Sequence, residues 1–203
     1  ATVKAVAAPI RADKIPGLQQ IYVMGEEGSS ISAEAARDLG TALARGGGES
    51  GVSAVGLQDF ESGQPLESGT GLNSLFSGIV SGRGVLPSLQ SLSVSYKEDV
   101  LSVPTLADCI TKGKFPHLRT LNLNHDAQQQ SDLSLGQEGM QCLTLALCSP
   151  SAKSLRSLAF MTLKIADTPR YRAAHVSHIT LLAFAFSFGQ LGGLQELHVR
   201  MVF

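Results

Sequence analysis

Tryptophan is absent from this sequence, and aromatic residues make up only 5% of it. A core built on a few large rings is therefore excluded. Leu, Ala, Gly and Ser dominate instead, which suits many repeated small contacts. Charge is scarce as well: charged residues amount to 16%, with a formal net charge of −1. No field of either sign draws the chain to nucleic acid or to an anionic membrane surface. The three cysteines, Cys109, Cys142 and Cys148, are an odd number at irregular spacing. That pattern does not fit a secreted disulfide scaffold, and it predicts a reduced, intracellular and cytoplasmic setting with the thiols buried as small hydrophobes. Long apolar runs are missing too. The start, Ala1-Thr2-Val3-Lys4, has no signal-peptide h-region, and the longest run, residues 176–188, is 13 residues broken by Ser and His.

What is present is one short pattern, repeated. Leu118-Arg119-Thr120-Leu121-Asn122-Leu123 has the form L-x-x-L-x-L, and related hexamers begin at Leu18, Val52, Leu89, Leu155 and Leu194. Alternating apolar positions over six residues predict a strand with one buried face. An apolar-Pro-x lead-in precedes three of them, at Ile15-Pro16, Leu86-Pro87 and Phe115-Pro116. Starts at 18, 52, 89, 118, 155 and 194 are 34, 37, 29, 37 and 39 residues apart, the range of a stacked repeat whose loops vary in length.

Helical periodicity fills the intervals. Ile31, Ala35, Leu39, Ala42 and Leu43 share one face, with Ser30 or Ser32 as cap and Gly46-Gly47-Gly48 as stop. Leu72, Leu75, Phe76 and Ile79 repeat the spacing after a Gly/Ser-rich loop at 62–71. Next come Leu106 and Ile110, behind Pro104 at a first helical position. Ser134-Leu135-Gly136-Gln137 matches a capping box ahead of Met140, Leu143 and Leu147. Thr168-Pro169 opens a fifth helix that becomes apolar on most sides from Val176 to Phe188, as a helix buried on several faces or docked against a partner would be.

The six strand motifs, each followed by an Ala/Leu helix such as residues 35–43, resemble leucine-rich repeats of the long, ribonuclease-inhibitor-like class. The resemblance covers about residues 15–203. It implies an α/β solenoid with a parallel sheet on the concave face and helices on the convex face. Residues 1–17 are then a lead-in or the remnant of a preceding segment, and 18–203 are about six irregular repeats forming one domain. Two departures stand out. The Asn or Cys expected three residues after the last strand Leu is replaced by Glu26, Phe60, Lys97, Asp126, Leu163 and Val202. The chain also begins without Met and stops directly after the sixth strand, which is read as a piece of a longer protein or a subunit whose open end is covered.

The resemblance points to a protein-binding module or scaffold that recognises a partner protein through the exposed sheet face. Arg119 and Arg156 fall in one column of that face, where paired guanidiniums can grip a carboxylate or phosphate. Tyr22, Asn122 and His198 complete the expected partner-binding set. No metal site, cofactor or catalytic group is expected. His175 and His178 lie three apart but lack further ligands. The glycine run at 46–51 precedes a strand rather than a helix, and no nucleophile elbow is present. One alternative is a structural subunit built permanently into a large complex. Another is a regulatory module of a GTPase-activating or ubiquitin-ligase system, for which Arg83 is the loop arginine to test.

Overall fold

The computed structural model describes residues 7–10, 15, 18–24, 32–44, 52–58, 71–96, 102–125, 137–164, 180 and 183–202. Six strands form one sheet: β1 Gln20–Met24, β2 Ala54–Gln58, β3 Ser91–Tyr96, β4 Thr120–His125, β5 Ser157–Lys164 and β6 Glu196–Val202. They lie side by side in chain order, and every neighbouring pair is parallel. Among the described residues, four longer helices occupy the first four connections: α1 Ala33–Leu43, α2 Gly71–Ser81, α3 Ser102–Thr111 and α4 Gln137–Leu147. The result is an α/β fold with a six-stranded parallel sheet, about 24 Å across at ~4.8 Å per strand.

Each strand begins two residues after its motif does, at 20, 54, 91, 120, 157 and 196. The reason lies in the approach to the strand. The Leu89 N–H donates to the Leu86 carbonyl and the Leu118 N–H to that of Phe115; Leu155 and Leu194 repeat this three-residue reach to Ala152 and Leu191. Each approach is thus a β-turn. Pro87 and Pro116 sit at its second position, where a fixed φ favours the turn, which is why proline recurs there. The residue that opens the turn is a core anchor: Leu86, Phe115, Ala152 and Leu191 are all buried.

A second regularity ties the turns together. The carbonyl of Gln19 accepts the N–H groups of both Ser53 and Ala54; Ser53, Gln90, Arg119 and Arg156 each accept a pair from the next unit in the same way, at 2.7–3.2 Å. This backbone column ties successive units together at the N-terminal end of the strands. Four of the positions that lack the expected Asn or Cys, Glu26, Phe60, Lys97 and Asp126, lie outside the described residues. The other two, Leu163 and Val202, fall inside β5 and β6. Those strands run to 8 and 7 residues where the first four have 5 or 6.

The helices form where expected, with adjustments at their ends. Ser32 caps α1, its Oγ accepting the Ala35 N–H at 3.2 Å. The Gly46–Gly48 stop, the capping-box residues 134–136 and the Thr168-Pro169 start lie outside the described residues. Pro104 is two residues inside α3, still within the first turn, where its missing N–H breaks no helical hydrogen bond. Gly113, at φ +67°, ends that helix at its other end in the left-handed region. The predicted stripes are buried: Leu39, Ala42 and Leu43 in α1; Leu72, Leu75, Phe76 and Ile79 in α2; Leu106 and Ile110 in α3; Met140, Leu143 and Leu147 in α4. Together with Ile21, Val55, Leu92, Leu121 and Leu158 from the strands, they make one continuous core.

Helices α1 and α2 approach each other at backbone distance. A side chain at Gly40 would collide with the Leu75 carbonyl, and one at Gly78 with the Arg37 carbonyl. Only glycine fits either position, and the contact is reciprocal. Between the next two units Lys114 is the tie. It is only 9% exposed, and its ammonium donates to the carbonyls of Gly82 and Gly84, the latter at 3.0 Å. The charge therefore sits on free carbonyls just past the C-terminus of α2, where the helix dipole also favours a cation.

The apolar run at 176–188 is described only in part. Residues 183–187 form a short helix in which Ala185 is buried, whereas Phe184, Phe186 and Phe188 are 49%, 38% and 54% exposed. Of the two readings of this run, the described residues match an uncovered apolar surface. Among the described residues, no helix is long and apolar enough to cross a membrane.

Candidate protein-binding face

The sheet register decides which residues share a line on the face turned away from the helices. Tyr22 pairs with Gly56, Gly56 with Ser93, Ser93 with Asn122, Asn122 with Ala159 and Ala159 with His198. Three of the five predicted partner-binding residues therefore stand in one unbroken column. Tyr22 at one end is 65% exposed. His198 at the other end is exposed, and Asn122 between them is half-buried. The adjoining column runs Gln20, Ala54, Ser91, Thr120, Ser157 and Glu196, and is uncharged up to its last position.

The Tyr22 ring lies over Gly56, so closely that a Cβ there would strike Cδ1 and Cε1 of the ring. Gly56 is buried beneath it. A flat aromatic covering a glycine in the neighbouring strand replaces the side-chain contact the glycine cannot make. It also fixes the ring against the sheet while leaving its outer face to solvent. The small hydrogen-bonding groups of Ser93 and Asn122 follow in line. The Asn122 side-chain oxygen is buried and makes no hydrogen bond. An unpartnered buried acceptor is destabilising, and a donor brought by a partner would relieve it.

The two arginines lie elsewhere. Arg119 and Arg156 occupy the turn column, where the Arg119 carbonyl receives the Arg156 N–H at 2.7 Å. Their side chains differ in use. The Arg156 guanidinium folds back on its own turn, donating from Nη1 to the carbonyls of Lys153 and Leu155, both at 3.1 Å. It rests against Gly193, where any Cβ would collide with it. Arg119 stays exposed. The structure thus holds the pair in one column by backbone but engages Arg156 as a staple between the last two units. The adjacent glycines in Leu191-Gly192-Gly193-Leu194 are the sequence signal for that staple. Arg83 is exposed in the turn after α2. His175 and His178 lie outside the described residues, among which no group of three or more His, Cys, Asp and Glu side chains could hold a metal ion.

Of the three thiols expected to be buried, Cys109 is, whereas Cys142 and Cys148 are half-buried. Burial, reinforced by the neighbouring Asp108 carboxylate, pushes Cys109 up to about 12, with Lys114 and Lys112 pulling weakly the other way. Its Sγ faces the Phe76 carbonyl at 3.5 Å. Burial also raises Cys148. A thiol held protonated is a poor nucleophile and a poor metal ligand.

No protein-family model matches the chain, and no curated protein matches it. One similar solved structure is a tropomodulin C-terminal domain of Caenorhabditis elegans, at 15% identity and a TM-score of 0.44. The match covers 95% of this chain and 99% of that one.

Proposed function

We propose that this chain is a leucine-rich-repeat solenoid of the ribonuclease-inhibitor-like class that acts as a non-enzymatic, cytoplasmic protein–protein interaction module or scaffold. The sheet is its concave, partner-binding face, and the helices form its convex back. The supporting observation is the column from Tyr22 through Asn122 to His198, which spans all six strands on the face that no described helix covers. Its floor is fixed by ladder hydrogen bonds, so a partner binds without ordering a loop first. Tyr22 contributes a rigid aromatic anchor and Asn122 an unsatisfied acceptor, with Arg119 on the rim.

A tagged full chain purified from its native source, with co-purifying proteins quantified by mass spectrometry, tests this reading. Tyr22→Ala combined with His198→Ala should reduce the recovered partner about tenfold, the effect of losing one or two anchoring contacts. Lys112→Ala, on the helix side, should leave recovery unchanged. Equal recovery from all three proteins would refute the face assignment.

The exposed Phe184, Phe186 and Phe188 favour a second reading, a subunit built permanently into a larger assembly. In that case the co-purifying set would be stoichiometric and insensitive to the Tyr22 and His198 changes.

A further inference from the structure

The formal net charge of −1 conceals an uneven distribution. Because the strands are parallel, the turns leading from α2 into β3, α3 into β4 and α4 into β5 share one end of the sheet. Those turns, residues 82–91, 111–120 and 148–157, carry Arg83, Lys112, Lys114, Arg119, Lys153 and Arg156, and neither Asp nor Glu. The whole chain has 16 Lys and Arg against 17 Asp and Glu, so this rim is a true concentration of one sign. The positions repeat as well. Arg83 and Lys112 each stand three residues before the turn-opening Leu86 or Phe115, and Arg119 and Arg156 four after Phe115 or Ala152.

The helix dipoles account for part of this charge. Three helix C-termini face the rim, and each carries about −0.5 of a unit charge. Lys112 is also neutralised, paired with Asp108 at 2.7 Å. The other five cations outweigh the helix ends. Buried Lys114 and half-buried Arg156 donate to backbone carbonyls, which are neutral groups, so both charges persist behind the surface. In front of them Arg83, Arg119 and Lys153 are exposed and form no ion pair with a described residue.

The rim is rigid. The Leu86 N–H donates to the Lys114 carbonyl at 2.8 Å, and the Ser154 hydroxyl to the Pro116 carbonyl at 3.1 Å. With the Arg156 N–H on the Arg119 carbonyl, the three turns hold one another, and binding requires little ordering of the backbone.

The partner's chemistry follows from what surrounds the cations. Phosphate sites use free N–H groups at helix N-termini, whereas helix C-termini face this rim, and the Leu86, Leu118 and Leu155 N–H groups are already bonded. Single-stranded nucleic acid needs exposed rings for its bases, and Phe115, the one Phe, Tyr or Trp of these turns, is only 2% exposed. Three separate cations on long side chains match a short run of carboxylates.

We propose that the rim of Arg83, Arg119 and Lys153, with Lys114 and Arg156 behind it, binds an acidic segment of a partner protein. Of the residues assigned to the sheet face it uses only Arg119, and it stands if the sheet-face reading fails.

Fluorescence anisotropy of a labelled octaglutamate peptide titrated with the full chain is the test, with circular dichroism confirming that each variant is folded. Binding should weaken about tenfold between about 50 and 300 mM salt, because exposed charges are screened. Arg83→Glu combined with Lys153→Glu should weaken it about tenfold at the lower salt, the effect of reversing two exposed pairs. Lys112→Ala and Tyr22→Ala should leave it unchanged. No binding at the lower salt overturns the proposal, as does binding indifferent to the double reversal. Tighter binding of a single-stranded oligonucleotide of equal charge overturns it in favour of nucleic acid. A loss caused by Tyr22→Ala instead of the reversal places the peptide on the sheet face and also overturns it.

Discussion

The two ends of the sheet are made of the same motif and end differently. Ile21 in β1 and Leu197 in β6 occupy the same register column, yet one is 8% exposed and the other 42%. Strands β1 to β4 pair without interruption, whereas β5 and β6 are longer and their register shifts between Met161 and Lys164. Three residues of β5 there span two of β6, so β5 carries one extra residue. A leucine stabilises a stacked repeat only if the next layer covers it. The motif sets which side the leucine faces, but the neighbour sets what that facing is worth.

The sharpest way to break the comparison is to truncate equivalent leucines. Leu121→Ala, at a fully buried position, should cost about 3 kcal/mol in urea unfolding, whereas Leu197→Ala should cost less than about 1. Equal losses would mean that the β6 end is covered after all. The glycines extend the contrast. Alanine at Gly78 would sit 2.9 Å from the Thr41 nitrogen and closer still to the Arg37 carbonyl, both backbone atoms that cannot swing aside. Gly78→Ala should therefore cost about 2 kcal/mol despite alanine's better helix propensity. Gly193→Ala meets only the end of the Arg156 side chain, which can move, and should cost under about 1.

Alkaline titration probes the closed middle from another side. Cys109 stays protonated in the folded chain up to about 12, while its thiol in the unfolded chain ionises near 9.0. Its contribution is therefore complete below pH 9 and is lost as pH rises toward 12, because the unfolded state releases the proton first. The slope approaches about 1.4 kcal/mol per pH unit in that window. Stability curves for the parent and Cys109→Ala should diverge there, with the variant flatter; parallel curves would place the thiol in a more polar setting. The smallest effect belongs to Asn122→Ala. Alanine removes the desolvation cost of the unpartnered oxygen but also loses side-chain packing, and the two offset, so the change should lie within about 0.5 kcal/mol of neutral by thermal melting.

Much of the fold was legible because it rests on local periodicity. The L-x-x-L-x-L spacing specified six parallel strands and which residues face inward, and the Leu and Ala stripes specified α1 to α4. The column of Tyr22, Asn122 and His198 was also readable, since counting along identical motifs gives the register. What the sequence hid was how side chains and turns resolve locally. Arg156 sits in the motif as Arg119 does, yet two nearby carbonyls and the space above Gly193 draw it back onto its turn. The first motif leucine proved to close a β-turn, because the paired N–H groups after it reach the preceding carbonyl before the ladder begins.

By itself, then, the sequence determined the order of elements, the alternation of buried and exposed residues and the line of side chains across the sheet. These follow from periods of 2 and 3.6 that any extended or helical backbone obeys. Only the tertiary structure decided the backbone contact of Gly40 and Gly78, the seating of Lys114 on two carbonyls, the anchoring of Tyr22 on Gly56 and the exposure of Leu197. Each depends on the distance to a residue tens of positions away in the chain, and no local pattern records that distance.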